Sequence, residues 1–193
     1  MSDFINTIDV LGDDAVIDSI VDRSITEFKD DKVTKVGDYA FFRCGALEMV
    51  DLPNVTSLGS YVFAGTGLTE LRLPSLSSVP PNSLRGCHKA VLVDLPICTT
   101  LNDYSLAEPY ALSALVLRSD TVCVNKGKVL YNPSTIANPD PINTGTGYIY
   151  VPSALIEDYK VATNWSTYAD QFRALEDYTV DGTTTGELDE SKI

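Results

Sequence analysis

Cys87-His88 is where this chain first offers residue types that could do covalent chemistry, a thiol followed directly by an imidazole. A nucleophile needs a base within hydrogen-bond reach and a third group to orient that base. Adjacent residues in a turn rarely point at each other, so no catalysis is expected from this pair. No G-x-S-x-G, phosphate-loop or H-E-x-x-H motif occurs elsewhere, and no catalytic residue is expected. The four cysteines, Cys44, Cys87, Cys98 and Cys123, show no C-x-x-C spacing, and His88 is the sole histidine. A zinc site therefore lacks its ligands. Asp13-Asp14, Asp30-Asp31 and Asp140 lack the spaced carboxylates of a calcium loop and read as solvated or helix-capping residues. No metal and no cofactor are expected.

The elements that position these side chains follow from a repeat. Leu47-Glu48-Met49-Val50-Asp51-Leu52-Pro53 returns as Leu68 to Pro74 and as Ala90 to Pro96, then without its proline as Leu112 to Arg118. Between these copies runs a second motif, Val33-x-x-Val36-Gly37-x-x-Ala40-Phe41-x-x-Cys44, which returns as Val55-x-x-Leu58-Gly59-x-x-Val62-Phe63. It continues more loosely through Val79, Ser83, Leu84 and Cys87, then Leu101, Ser105 and Leu106, at a period of about 22 residues. A unit this small cannot bury its own apolar side, so successive copies must stack and share one core. Val50 and Leu52 point inward from a short strand, and the strands lie parallel along one face.

The register extends both ways. Ile25 to Asp31 reads as a polar edge coil, and Asp13 or Asp14 can cap a helix through Ala15 to Asp22 whose Ile17, Ile20 and Val21 close the open end. Downstream, Tyr148 to Pro152 reads as a fifth strand after a long loop at 119–147. Ser153 is expected to cap a helix carrying Leu155, Ile156 and Tyr159 on one face, and Ser166 to start a second, with Trp165, Tyr168, Phe172 and Leu175 capping the far end. The expected divisions are an N-terminal cap at 1–32, the repeats at 33–152, a helical cap at 153–179, and a polar tail or assembly arm at 180–193.

The same register reads the cysteines. Cys44 and Cys87 occupy one repeat position two coils apart, which at the spacing of paired strands separates their Cα atoms by roughly 10 Å. A disulfide needs less than about 7 Å. Both are expected to be buried thiols, as is Cys98, which falls where Val55 falls; Cys123 lies where the register is lost.

Across coils the outward strand positions give the row Lys29, Asp51, Arg72, Asp94, Val116 and Tyr150, beside Met49, Glu70, Leu92 and Ala114. Alternating charge on Asp51, Arg72 and Asp94 suits any solvated sheet. The apolar end, Leu92, Ala114, Val116 and Tyr150, reads instead as a contact surface. The candidate binding residues are therefore Met49, Asp51, Glu70, Arg72, Leu92, Asp94, Ala114, Val116 and Tyr150.

Charge bounds the partners. With 27 acidic and 14 basic residues, a net charge of −13 repels phosphate backbones and anionic membranes, so nucleic acid is not an expected partner. No stretch approaches the roughly 20 apolar residues of a membrane helix. The opening residues carry no basic segment followed by an apolar run, so folding in the cytoplasm without a signal peptide is the expectation.

"VGDYAFFRCGALEMVDLP" resembles the BspA-type leucine-rich repeat, over roughly residues 25 to 118, and "GTGYIYVPSALIEDYKVATNWSTYADQFRALEDY" is similar to the C-terminal segment of such proteins in gut bacteria and their phages. The resemblance implies an α/β fold, a right-handed leucine-rich-repeat solenoid with a short parallel sheet, an N-terminal capping helix and a C-terminal helical cap. It implies a non-enzymatic, phage-encoded, virion-associated protein whose concave strand face adheres to host-surface polymer or glycan. Two alternatives stand beside this: a virion structural or decoration component whose termini contact other virion proteins and copies of itself, and a bacterial cell-surface adhesin.

Overall fold

Alternation along each short strand decides what the coil buries. In Met49-Val50-Asp51 the central side chain is buried and its neighbours are exposed, and Glu70-Leu71-Arg72 repeats that pattern. The structure is a computed structural model that describes residues 8–11, 14–17, 23–131, 142, 146–177, 179–180 and 183–184.

The chain opens with β1 (Ile8–Leu11), β2 (Asp14–Ile17), β3 (Glu27–Lys29) and β4 (Val33–Val36). The coils continue through β5 (Met49–Asp51), β6 (Ser57–Leu58), β7 (Glu70–Arg72), β8 (Ser78–Val79), β9 (Leu92–Leu95) and β10 (Thr100–Leu101). Next come β11 (Ala114–Leu117), β12 (Val124–Asn125), β13 (Tyr148–Val151) and the helix α1 (Ile156–Val161). The last strands are β14 (Phe172–Ala174), β15 (Thr179–Val180) and β16 (Thr183–Thr184).

Three ladders tie the coils together. On the first face β3 pairs with β5, and β7, β9, β11, β13 and β14 form a parallel sheet in that order. On the second, β2, β4 and β6 run parallel, as do β8, β10 and β12. The third lies in the turns, where each coil donates a backbone N–H to the next: Phe41 to Val62 O at 2.9 Å, Phe63 to Ser83 O and Leu84 to Ser105 O at 2.8 Å, and Leu106 to Val129 O at 3.1 Å. Buried backbone groups need partners, and here a turn finds its partner one coil on.

The core fills the space between the ladders. Phe41 and Phe63 stack at 5.3 Å between centroids, and Phe28 meets Phe41 edge-on at 5.1 Å. Close approach limits Gly59 and Gly67: a Cβ on Gly59 would collide with Asp38, and one on Gly67 would collide with the Gly45 carbonyl oxygen and lie 3.2 Å from that of Leu47. All four cysteines are buried free thiols. Cys44, Thr66 and Cys87 occupy one position in three successive coils, and Thr66 Oγ1 lies 3.4 Å from Cys87 Sγ.

The two ends depart from expectation. In place of a helix from Ala15, β2 runs antiparallel to β1 and parallel to β4. Val16 and Ile17 are β-branched, and the edge of β4 offers unpaired backbone groups, so extended chain satisfies that edge as a helix could not. Asp14 is thus a strand residue, and Asp13 and residues 18–22 lie outside the described residues.

At the other end the first turn, Ser153–Leu155, is a 3-10 segment that leads into α1. Ser153 does not cap it, and its N–H donates to the Glu176 carboxylate at 2.8 Å. Ser166–Gln171 is a 3-10 segment too, and Phe172 belongs to β14, which adds to the sheet beside β13. The far edge of the described parallel sheet is therefore a strand, with Phe172 buried, rather than a helix. Thr179–Val180 and Thr183–Thr184 pair antiparallel, and 185–193, most of the expected polar arm, lies outside the described residues.

The helical segment is fastened to the repeats at Cys123. Tyr159 Oη accepts from the Cys123 N–H at 2.8 Å, and Trp165 Nε1 donates to the Cys123 carbonyl at 2.6 Å. Asn125 and Asn164 exchange side-chain amide to backbone carbonyl bonds in both directions, at 3.2 and 2.9 Å. Trp165→Phe keeps the ring's bulk in part but orphans a buried carbonyl, and should lower stability by about 1–3 kcal/mol in urea unfolding followed by circular dichroism. An unchanged midpoint would mean that Cys123 is not the fastening point.

Candidate functional site

Strand register settles which outward side chains are neighbours. Arg72, Asp94, Val116 and Tyr150 are successive partners across β7, β9, β11 and β13, and β14 extends the row with Arg173. Lys29 pairs with Asp51 and Glu27 with Met49 across β3 and β5. The second row runs from Glu70 through Leu92 and Ala114 to Tyr148.

The two ends of these rows differ. Met49, Asp51, Glu70 and Arg72 are exposed, whereas Leu92, Asp94, Ala114, Val116 and Tyr150 are buried. The expected apolar contact surface is thus not open. Leu175, from the segment after β14, packs with Leu92, Ala114, Val116 and Tyr150 into a second small core, joined by Tyr148. Arg173 lies over the Tyr148 ring at 4.1 Å. These strands carry apolar residues outward because the chain covers its own sheet there.

Asp94 marks the border. It is 5% exposed and accepts on its two oxygens from Arg118 Nε and Nη2, at 3.1 and 2.9 Å, with Arg72 Nη1 3.5 Å from Oδ2. A buried carboxylate needs such partners. Arg72 also meets Glu70 at 3.3 Å, so it joins two carboxylates.

A second face emerges in the turns. Tyr39, Tyr61, Asn82 and Tyr104 share one repeat position and all adopt left-handed backbone, with φ of 60°, 57°, 59° and 58°. Arg43, Gly65, Gly86 and Glu108 share another, with φ of 58°, 71°, 70° and 60°. Left-handed backbone costs a side-chain-bearing residue roughly 1–2 kcal/mol, and the turn ladder holds it in place. Tyr39 and Tyr61 stack at 5.1 Å with ring planes 6° apart, and Phe42 meets both edge-on. Arg43 lies over Phe42 at 5.0 Å, and Lys128 over Tyr104 and Tyr131 at 5.7 and 5.4 Å. Arg85 is held by Glu108 Oε1 through Nε and Nη2, at 3.0 and 2.8 Å. The apolar motif hid these tyrosines, since each stands at an unspecified position just before Ala40-Phe41, Val62-Phe63 or Ser105-Leu106.

Cys87 and His88 face different neighbours. Burial pushes the Cys87 thiol up to about 11, while the Thr66 hydroxyl pulls the other way, and Cys87 Sγ donates to Phe63 O at 3.1 Å. His88 is exposed and stacks on Tyr110 at 4.5 Å. The hydrogen bond that Cys123 makes to Cys98, then burial, raises the Cys123 thiol, and accepting the same bond lowers Cys98. Asp30 accepts from the backbone of Lys32 and Val33, a turn-forming role, and Asp140 lies outside the described residues. No group of three metal-ligating side chains occurs among the described residues. No described helix is long and apolar enough to cross a membrane.

The model of the BspA-type leucine-rich repeat region matches residues 22–127, in six copies. The chain belongs to the BspA-type leucine-rich repeat family. Among solved structures it is similar to a leucine-rich cell surface protein from Faecalibacterium prausnitzii A2-165, at 14% identity and a TM-score of 0.35 over 56% of this chain and 51% of that one. The match thus spans about half the length of that protein. No curated protein matches.

Two outcomes check this picture. Asp94→Asn removes the charge that both arginines face and should cost about 1–3 kcal/mol in urea unfolding, against less than about 1 kcal/mol for exposed Arg72→Ala. Equal losses would contradict the buried position of Asp94. Raising the pH through 9 to 11 should destabilise the protein, because the unfolded Cys87 thiol ionises there while the folded one keeps its proton. Cys87→Ala should flatten that part of the pH profile, and an unaltered slope would contradict the burial of this thiol.

Proposed function

We propose that this chain is a non-enzymatic binding module that displays a surface for adhesion to host-surface polymer or glycan. The observation that carries the proposal is the fixed spacing of exposed side chains from coil to coil. Glu27, Lys29, Met49, Asp51, Glu70 and Arg72 stand along the first face, and exposed Tyr39 stacks on half-buried Tyr61 along the turns. Both sets stand on backbone held by the ladders, so that backbone needs no ordering when a partner arrives. A preorganised scaffold loses less entropy on binding.

The fold supplies a scaffold, and the reading as an adhesin rests on these surfaces rather than on the fold. Its mechanism is multivalent display, in which many weak sites on one carrier give avidity without any single tight site. The carrier we assign to it, a phage particle, rests on the sequence resemblance. Other virion proteins and further copies of this chain would then be its neighbours.

The test is binding to a panel of immobilised bacterial and mucosal polysaccharides, with the protein either monomeric or coupled at high density to beads. Bead-bound protein should adhere at least about a hundredfold more strongly than the monomer, as linked weak sites do. A protein that binds no member of the panel in either form contradicts the adhesion reading.

A further inference from the structure

The turn face contains a hollow of about 280 Å³ lined by Phe42, Arg43, Tyr61, Arg85, His88 and Glu108, together with the backbone of Gly65 and Gly86. Its origin is in the repeat. At the second left-handed position the flanking coils carry Arg43 and Glu108, and the two middle coils carry glycines. The hollow is what those missing side chains leave. A Cβ at Gly65 would lie 3.5 Å from Arg43 Cγ, and one at Gly86 would lie 3.4 Å from His88 Nε2, so any larger side chain would fill the space.

The lining has two chemical parts. Tyr61 and Phe42 offer aromatic surface, which packs against the C–H faces of sugar rings through the same dispersion and burial that drive aromatic contacts within proteins. The charged part is Arg43, Arg85 and Glu108. Glu108 is engaged by Arg85, whereas the Arg43 guanidinium lies over the Phe42 ring and forms no ion pair among the described residues. Two guanidiniums against one carboxylate make this hollow locally positive on a chain of net charge −13. An anionic group therefore meets attraction here, and a carboxylate matches the planar fork of an arginine.

We propose that this hollow binds an acidic saccharide, with a uronic-acid ring against Tyr61 and Phe42 and its carboxylate on Arg43. The proposal rests on the adhesion reading above and moves the site from the strand face to the turns. A single-stranded nucleic acid also combines rings with negative charge, but its continuous phosphate backbone would bring many more charges against a chain of net charge −13.

The test uses the full chain and isothermal calorimetry with three probes: an oligogalacturonate, the neutral oligogalactose of equal length, and a single-stranded oligonucleotide. The oligogalacturonate should bind at least about tenfold more tightly than the neutral sugar, as a charge-assisted arginine contact allows. Arg43→Gln should lose at least about tenfold of that affinity. Gly86→Asn, which tolerates the same backbone as Asn82 and fills the hollow, should lose it as well. Lys35→Gln, which removes an exposed charge on β4 away from both the strand face and the hollow, should change nothing.

Loss with Arg72→Gln but not with Arg43→Gln would overturn the turn-face site while leaving the adhesion reading in place. So would tighter binding to the oligonucleotide than to the oligogalacturonate. Because Arg43 is exposed, a folded Arg43→Gln protein that binds at full strength overturns the proposal even if Gly86→Asn fails to fold. Binding of neither saccharide overturns the hollow as a saccharide site, and the polysaccharide panel then decides whether adhesion falls with it.

Discussion

No coil of about 22 residues can bury its own apolar side or pair its own backbone, and every other feature of the chain follows from that constraint. Each coil is completed by the next through three ladders, two of strands and one of turns. The turn ladder has the widest effect. It holds Tyr39, Tyr61 and Tyr104 in backbone conformations that a tyrosine otherwise avoids, and so sets the aromatic row outside the core. Because a stack must stop somewhere, its ends need other chemistry. At one end β1 and β2 continue the second face, and at the other Tyr159, Trp165 and Asn164 satisfy the backbone of Cys123 and the amide of Asn125.

How much of this was legible depended on whether the repeat carried it. The inward positions, from Val33 and Phe41 to Leu115 and Leu117, were readable because burial demands apolar residues at every period. Strand register was readable for the same reason, and the row from Arg72 through Asp94 and Val116 to Tyr150 stands as the period placed it. The ends were not. Val16 and Ile17 suit a helix stripe or a strand equally, and only the open edge of β4 decides between them. Phe172 and Leu175 fall at helical spacing, yet Phe172 joins a strand and Leu175 covers the sheet.

The two candidate faces show the same limit from opposite sides. On the strand face, apolar outward residues looked like a docking patch, but their partner was the chain itself, some 60 residues away in sequence from Val116 to Leu175. Period alone cannot reveal a cover that belongs to no repeat. On the turn face, the tyrosines and arginines stand at positions the apolar motif leaves unspecified, so nothing in the motif drew attention to them. Their shared signal is a spacing of one or two coils between Tyr39, Tyr61 and Tyr104, combined with glycines at 65 and 86. The binding reading accordingly leans on turns, which the repeat fixes in place but does not itself require to be aromatic.

The dependence of the whole structure on coil-to-coil backbone bonds is tested most directly by native-state amide hydrogen exchange. The turn amides of Phe41, Phe63, Leu84 and Leu106 should exchange as slowly as the amides of the central strands, since both donate to the neighbouring coil. Strand amides that stay protected while these four exchange at the rate of open peptide would show that the turns are not laddered. In that case the row of tyrosines and the hollow beside it would lose the support this account gives them.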